Sequence, residues 1–205
     1  MTQVLLVDDH PMIGAALEIL LRETDYVLLD RTRTAAGAGK QNSALKPDLL
    51  LLDVNLPDAS GLDVLRRLSR ARSRPKVVLL TAGMDEAQLL AAAELAPEGM
   101  VLKTSDPSLL LECMDAVVAG GRWVDPEIAE RTRQAQARAA SLPPLTRRER
   151  ELIELVGQGL RNRDIAAELG VTEGTVKVYL HAIFDKLHVA SRTELALRAP
   201  ELTGR

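Results

Sequence analysis

The chain predicts an open α/β sheet of five parallel strands followed by a small all-α domain. Five short apolar runs, near 3–7, 26–30, 48–52, 76–80 and 99–102, alternate with helical patterns near 11–22, 34–45, 61–71, 85–95 and 106–119. Short apolar runs bounded by polar or turn residues read as fully buried strands, and strands alternating with helices read as parallel strands joined by crossovers. Beyond Leu145 the strand signal stops, and four short helical segments punctuated by glycines follow.

Taken in order, VLLV at 4–7 leads into Asp8 and Asp9, and Pro11 suits the first turn of the next helix. Either aspartate, taken alone, reads as that helix's cap. LLLL at 49–52 ends in Asp53, followed by the turn VNLPDASG with Pro57 and Gly61. VVLL at 77–80 ends in Thr81, and MVL at 100–102 ends in Lys103. Gly120 and Gly121 stop the fifth helix. Asp125 before Pro126 and Glu127 is a helix start. PEIAERTRQAQARAA has few large apolar residues and reads as a solvent-exposed linker helix, broken by SLPP at 141–144. The boundaries drawn are 1–122 for the sheet domain, 123–144 for the linker and 145–205 for the helical domain.

In the helical domain, Thr146 and Glu149 have capping-box spacing. RNRDIAAELG is a short helix closed by Gly170. VTEGTVKVYLHAIFDKL is a longer one capped by Thr172, and Ser191 with Glu194 opens a last helix. Tight glycine turns between such helices suggest a helix-turn-helix unit. In the third helix Val176, Leu180, Ile183, Phe184 and Leu187 form one apolar stripe. At about 100° per residue, Val178, His181 and Asp185 point away from it, with Lys177 on the shoulder. An apolar Val178 on a polar face suits contact with a thymine methyl in a major groove, and Lys177 suits guanine edges or phosphate. Asp185, two turns on, should stay outside the groove.

In open parallel sheets ligands bind beyond the carboxyl ends of the strands. Asp8, Asp9, Asp53, Thr81 and Lys103 therefore converge on one rim. Three carboxylates repel unless a cation neutralises them, and hard oxygen ligands with room for water suit Mg²⁺. A carboxylate in that setting can accept a phosphoryl group, a transfer that needs positioning and charge neutralisation above all. Asp53 ends the central strand and is the expected acceptor. Lys103 would supply positive charge, and the Thr81 hydroxyl would bond a phosphoryl oxygen.

Composition bounds the rest. The 205 residues are 46% hydrophobic and 27% charged, ordinary for a globular protein of one or two domains. Only 2% are aromatic, so the core must rest on Leu, Val, Ile and Ala. The single cysteine, Cys113, excludes an intrachain disulfide and fits a reducing compartment. No signal-like segment and no 18-residue apolar run is present, so a cytoplasmic protein without membrane insertion is expected. Residues 1–122 carry 13 basic and 17 acidic side chains, and residues 123–205 carry 13 and 12. Any argument for nucleic acid must rest on local placement of charge.

VLLVDDHP, LLLLDVNLPDASG, VVLLTAG and GMVLK resemble the receiver domain of bacterial two-component response regulators, over roughly residues 1–122, a fold of the flavodoxin-like kind. LTRRERELIELVGQGL, NRDIAAELGVTEGTVKVYL and KLHVASRTELA resemble the LuxR-type DNA-binding domain, and the whole chain looks like a NarL/FixJ-type transcriptional regulator. The resemblance implies that a sensor histidine kinase phosphorylates Asp53. It implies that Asp8, Asp9, Asp53 and the backbone carbonyl of Asn55 hold Mg²⁺, and that Thr81 and Lys103 read the phosphoryl group. Lys177, Val178 and His181 become candidates for base contacts with double-stranded DNA. Arg161, Asn162, Arg163, Thr172, Thr175 and Tyr179 become candidates for phosphate contacts, whereas Arg147, Arg148 and Arg150 read equally as a solvated face. The last helix, with Arg192, Leu195 and Arg198, would form the dimer contact on activation, and RNA polymerase is a further candidate partner. Two departures stand out. His181 and Tyr179 replace a frequent lysine and histidine, and Met100 replaces the aromatic that couples to Thr81.

Two rival classes compete. An aspartate-dependent phosphohydrolase typically has a second acid two residues beyond its nucleophile, where this chain has Asn55. The chain is therefore not read as an enzyme, beyond a phosphoacceptor assisting its own phosphoryl transfer and dephosphorylation. The alternative is a phosphorylation-independent DNA-binding regulator whose receiver is a dimer or docking module. Met100 favours it, and the five-residue rim set opposes it.

Overall fold

The computed structural model describes residues 1–71, 74–141 and 144–203, and their contacts divide them into two compact units, Met1–Arg133 and Gln134–Arg205. The first unit runs β1 (Thr2–Val7), α1 (Pro11–Leu20), β2 (Tyr26–Thr32), α2 (Ala35–Leu45), β3 (Leu49–Asp53), α3 (Gly61–Leu68), β4 (Lys76–Thr81), α4 (Glu86–Leu95), β5 (Gly99–Leu102), α5 (Pro107–Val118), β6 (Trp123–Val124) and α6 (Pro126–Ser141), which continues into the second unit. The strands pair in parallel in the order β2-β1-β3-β4-β5-β6. Helices cover both faces, so the interior strands are apolar without alternation. Leu49–Leu52 are all fully buried, each contributing about 1.5–3 kcal/mol of transfer free energy.

The expected parallel sheet is present, and among the described residues a short sixth strand extends its five. Trp123 N–H donates to Glu98 O at 3.0 Å and Asp125 N–H to Met100 O at 2.9 Å. A two-residue strand is too short to leave an apolar run. Of the stretch read as a linker, residues 123–133 cluster with the sheet unit. Nor is α6 wholly solvent-exposed, since Ile128 is 1% exposed and lies within the sheet core. The break read at SLPP lies partly outside the described residues, since 142–143 are not among them.

The second unit contains α7 (Arg147–Gly157), α8 (Asn162–Leu169), α9 (Glu173–Leu187) and α10 (Arg192–Thr203). Thr146 and Glu149 form a reciprocal capping box. Thr172 Oγ1 accepts from Thr175 N–H at 3.1 Å. Gly170 closes α8 at φ +64°, a left-handed conformation that costs glycine nothing. Ser191 Oγ accepts from Glu194 N–H, but the Glu194 carboxylate reaches the Ala190 N–H, one residue short of a true box. Val176, Leu180, Ile183 and Leu187 are buried in a core shared with α7, α8 and α10.

Candidate functional site

Strand register assembles the rim. Val7 pairs with Leu52 and Asp53 with Leu80, while Thr81 pairs with Leu102. Asp8, Asp53, Thr81 and Lys103 thus leave neighbouring strands at the same level, beside the β1–β3 boundary where the strand order reverses. Asp8, Asp53 and Thr81 are 5%, 1% and 1% exposed. Lys103 Nζ lies 2.7 Å from Asp53 Oδ2 and 2.9 Å from Asp8 Oδ2. All five rim residues expected from the sequence are at the strand ends, with Asp9 at the outer edge.

Local turns fix Asp53. Asn55 N–H donates to Asp53 Oδ1 at 3.1 Å, which orients the carboxylate. A Cβ on Gly61 would fall 2.0 Å from Asp53 O, so only glycine lets α3 start against the strand end. The Thr81 hydroxyl donates to Gly83 O at 2.8 Å and accepts from Gly83 N–H at 3.0 Å, both within its own loop. Met100 is 4% exposed in the core.

Sequence reasoning passed over His10. Its Nδ1 lies 2.7 Å from Asp9 Oδ1, 3.2 Å from Asp8 Oδ1 and 3.7 Å from Asp53 Oδ2. The signal was its adjacency in DDHP. His10, not either aspartate, is the N-cap residue of α1, and its side chain makes no capping bond there. The ligand atoms of Asp8, Asp9, His10 and Asp53 all lie within 4.8 Å of one another. Asp8 Oδ2 and Asp9 Oδ1 are buried with no hydrogen bond directed at them, although Lys103 and His10 nitrogens lie within ion-pair range. Carboxylate oxygens held together in this way fit a small hard cation.

On α9, Val178 is 67% exposed, and the Lys177 and His181 side chains are 66% and 82% exposed. Val178 and His181 lie on the face opposite the buried stripe, with Lys177 on its shoulder. Lys177 pairs with Glu173 at 3.4 Å, and His181 with Asp185 at 3.7 Å. Arg161, Asn162, Lys177 and His181 line one open cleft beside Arg192. Tyr179 is 38% exposed, and Thr172 and Thr175 hydroxyls lie 2.8 Å apart at the start of α9. Arg163 is exposed beside Asp164. Arg148 is not a purely solvated residue, since its guanidinium bonds Leu169 O and pairs with Glu151.

The residues read on α10 for the dimer contact pack or bond within their own unit. Leu195 is fully buried in the helical core. Arg192 donates to Asn162 Oδ1 at 2.8 Å and to Leu160 O, tying α10 to the start of α8. Arg198 Nη1 reaches Leu187 O at 3.4 Å. Leu197, two residues beyond Leu195, is 77% exposed.

A parallel sheet with a carboxylate-lysine rim and a helix-turn-helix unit with an exposed third helix define a two-part regulator. Residues 4–115 match the response regulator receiver domain family, and residues 143–199 match the luxR family of bacterial regulatory proteins. The transcriptional regulatory protein YdfI of Bacillus subtilis strain 168 is 31% identical over 199 residues, covering 95% of this chain and 93% of that protein. The nitrate/nitrite response regulator NarL of Escherichia coli K12 is 30% identical over 200 residues, with coverage of 95% and 93%. The crystal structure of the response regulator ChrA, from a heme-sensing two-component system, aligns at a TM-score of 0.57 with 31% identity, covering 100% of this chain and 98% of that one. The chain belongs to the two-component response regulators that join a receiver to a LuxR-type DNA-binding domain. Among the described residues no helix is long and apolar enough to cross a membrane.

Proposed function

We propose that Asp53 accepts a phosphoryl group from a sensor histidine kinase and that this controls DNA binding by the α8–α9 unit. The supporting observation is the Lys103 ammonium held between the Asp53 and Asp8 carboxylates, 2.7 and 2.9 Å away. Asp53 Oδ1 is oriented by Asn55 N–H, and Lys103, which bonds Oδ2, would neutralise charge on the incoming phosphoryl group. Asp8, Asp9, Asp53 and the Asn55 carbonyl would hold Mg²⁺, which supplies further positive charge when bound. The Thr81 hydroxyl would leave Gly83 O for a phosphoryl oxygen. The same groups would assist loss of the phosphoryl group.

Phosphorylation replaces the single charge of the Asp53 carboxylate with a phosphoryl group of about 1.5 to 2 negative charges, and favours dimers that set two α9 helices about one DNA turn apart, ~34–36 Å. Lys177, Val178 and His181 face the bases. Arg161, Arg163, Thr172, Thr175, Tyr179 and the amide end of Asn162 lie where phosphates would run, and such contacts position without specifying. The last helix, α10, on which Arg192, Leu195 and Arg198 were read, would form the dimer contact, with Leu197 exposed on its outer side. The protein acts in the cytoplasm, with RNA polymerase a partner at the promoter.

The test is gel-shift affinity for a genomic DNA pool with and without Mg²⁺ and beryllofluoride, for wild type and Asp53→Asn. Tightening confined to wild type is expected. Equal binding by both proteins in every condition would sink this reading.

A further inference from the structure

We propose that α6 is the receiver's output lever, gripped at two points by the loops that follow the phosphoryl-reading residues. The proposal rests on Asp53 as phosphoacceptor. Two residues beyond Lys103, Ser105 Oγ donates to Asp125 Oδ2 at 2.6 Å. Asp125 is 3% exposed, and its Oδ1 accepts from Glu127 N–H at 2.9 Å, capping α6. Three residues beyond Thr81, the Met84 carbonyl accepts from Arg131 Nη2 at 2.6 Å. Between these grips Ile128, on the same helix, shares a buried cluster with Met84 and Met100.

The loop chemistry shows why these grips would transmit a signal. The Thr81 hydroxyl now holds Gly83 through both its donor and its acceptor. A phosphoryl oxygen that captures the hydroxyl proton must take it from Gly83 O, which releases the segment carrying Met84. Charge-assisted hydrogen bonds are among the stronger ones, so Arg131 follows the carbonyl it holds. A Lys103 displaced toward the phosphoryl group likewise moves the backbone leading to Ser105. Both displacements reach one helix, and that helix runs on without a break to Ser141, past the last residue of the receiver unit. Methionine at 100 carries no hydroxyl to couple with Thr81. The route through α6 needs none, because Met100 takes part through its backbone, accepting from Asp125 N–H.

The decisive experiment uses the full chain as wild type, Arg131→Gln, Ser105→Ala and the control Arg133→Gln. The control removes the same charge from the same helix, where the side chain is 71% exposed and paired with Glu130. Fluorine NMR reports beryllofluoride bound in the presence of Mg²⁺. Gel shift reports the gain in DNA affinity, and Trp123 fluorescence reports the change beside α6. Wild type and Arg133→Gln are expected to gain about tenfold, an ordinary allosteric coupling. Arg131→Gln and Ser105→Ala are expected to keep the bound-beryllofluoride signal yet gain less than about threefold, with Arg131→Lys restoring part of the gain. Arg131→Gln and Ser105→Ala gaining as much as wild type overturns the lever. If Arg131→Gln does not fold, Ser105→Ala decides alone. No bound beryllofluoride in wild type overturns the phosphoacceptor reading itself, and the lever falls with it.

Discussion

Lys103 Nζ and Asp53 Oδ2 meet at 2.7 Å with the lysine side chain 8% and the aspartate side chain 2% exposed. The same ammonium is 2.9 Å from Asp8, so one cation separates two buried carboxylates. Lys103→Met leaves them unscreened. Breaking a buried pair on one side typically costs about 3–5 kcal/mol, and a loss of that order is expected in urea unfolding with a chelator present. Millimolar Mg²⁺ should recover more stability in the variant than in wild type. Equal stability of the two proteins in chelator contradicts this account.

Glu149 gives the helical unit a pH dependence. Partial burial works to raise its carboxyl, but the Lys186 ammonium at 2.8 Å and the Thr146 N–H at 2.6 Å outweigh it and hold the group below the usual carboxylate range. A depressed folded-state pKa stabilises above the unfolded pKa and loses that contribution as pH falls through the folded value. Glu149→Gln should therefore cost about 1 kcal/mol near neutrality, with the gap from wild type closing only as pH drops below the ordinary carboxylate range. Urea titrations at several pH values measure it. A gap independent of pH would leave the ion pair without a role.

Leu195 and Leu197 lie two residues apart and should behave oppositely. Leu195 is fully buried, and truncation to Ala should cost about 2–5 kcal/mol. Leu197 is 77% exposed, and Leu197→Ser should leave the melting temperature close to wild type while weakening dimer formation on DNA. Sedimentation with and without a target duplex separates the two. Intact dimers in Leu197→Ser would move the interface elsewhere.

Cys113 should resist thiol reagents in the folded protein. Burial pushes its thiol up to about 12, against a weaker opposing bond with the Met100 backbone, and the thiolate is the reactive form. Alkylation by iodoacetamide at neutral pH should proceed at the rate of unfolding. Labelling as fast as a free thiol would refute this.

Lys177 and Val178 should fail in different ways. Lys177→Ala should weaken binding to all sequences and lower the salt slope by about 1. Val178→Ala should act chiefly on sites with thymine under α9, by about 1 kcal/mol for one lost methyl contact. Affinity for paired duplexes at two salt concentrations measures both, and identical losses on every duplex would remove Val178 from base contact.

Much of this was legible in the residues because local rules sufficed. VLLV, LLLL, VVLL and MVL each end on the polar residue that the structure brings to the rim. Thr146, Thr172 and Gly170 occupy the helix ends read for them. His10 was passed over because its role depends on three carboxylates, one of them from another strand. That Leu195 is buried in its own unit was not legible, because an apolar residue on a helix marks a buried face without saying whether its own domain or a partner covers it.

The sequence by itself determined the five main strands, the crossover helices, the rim set and the outward face of α9. These follow from short-range periodicity and from where a parallel sheet presents its strand ends. Tertiary structure alone decided that Trp123 and Val124 extend the sheet, that Ile128 is core, and that Arg131 and Asp125 tie α6 to the loops after Thr81 and Lys103. Those outcomes depend on contacts between residues 20 to 47 positions apart. No pattern within one segment encodes such pairings, because a hydrogen bond between distant segments requires the packed core that brings them together.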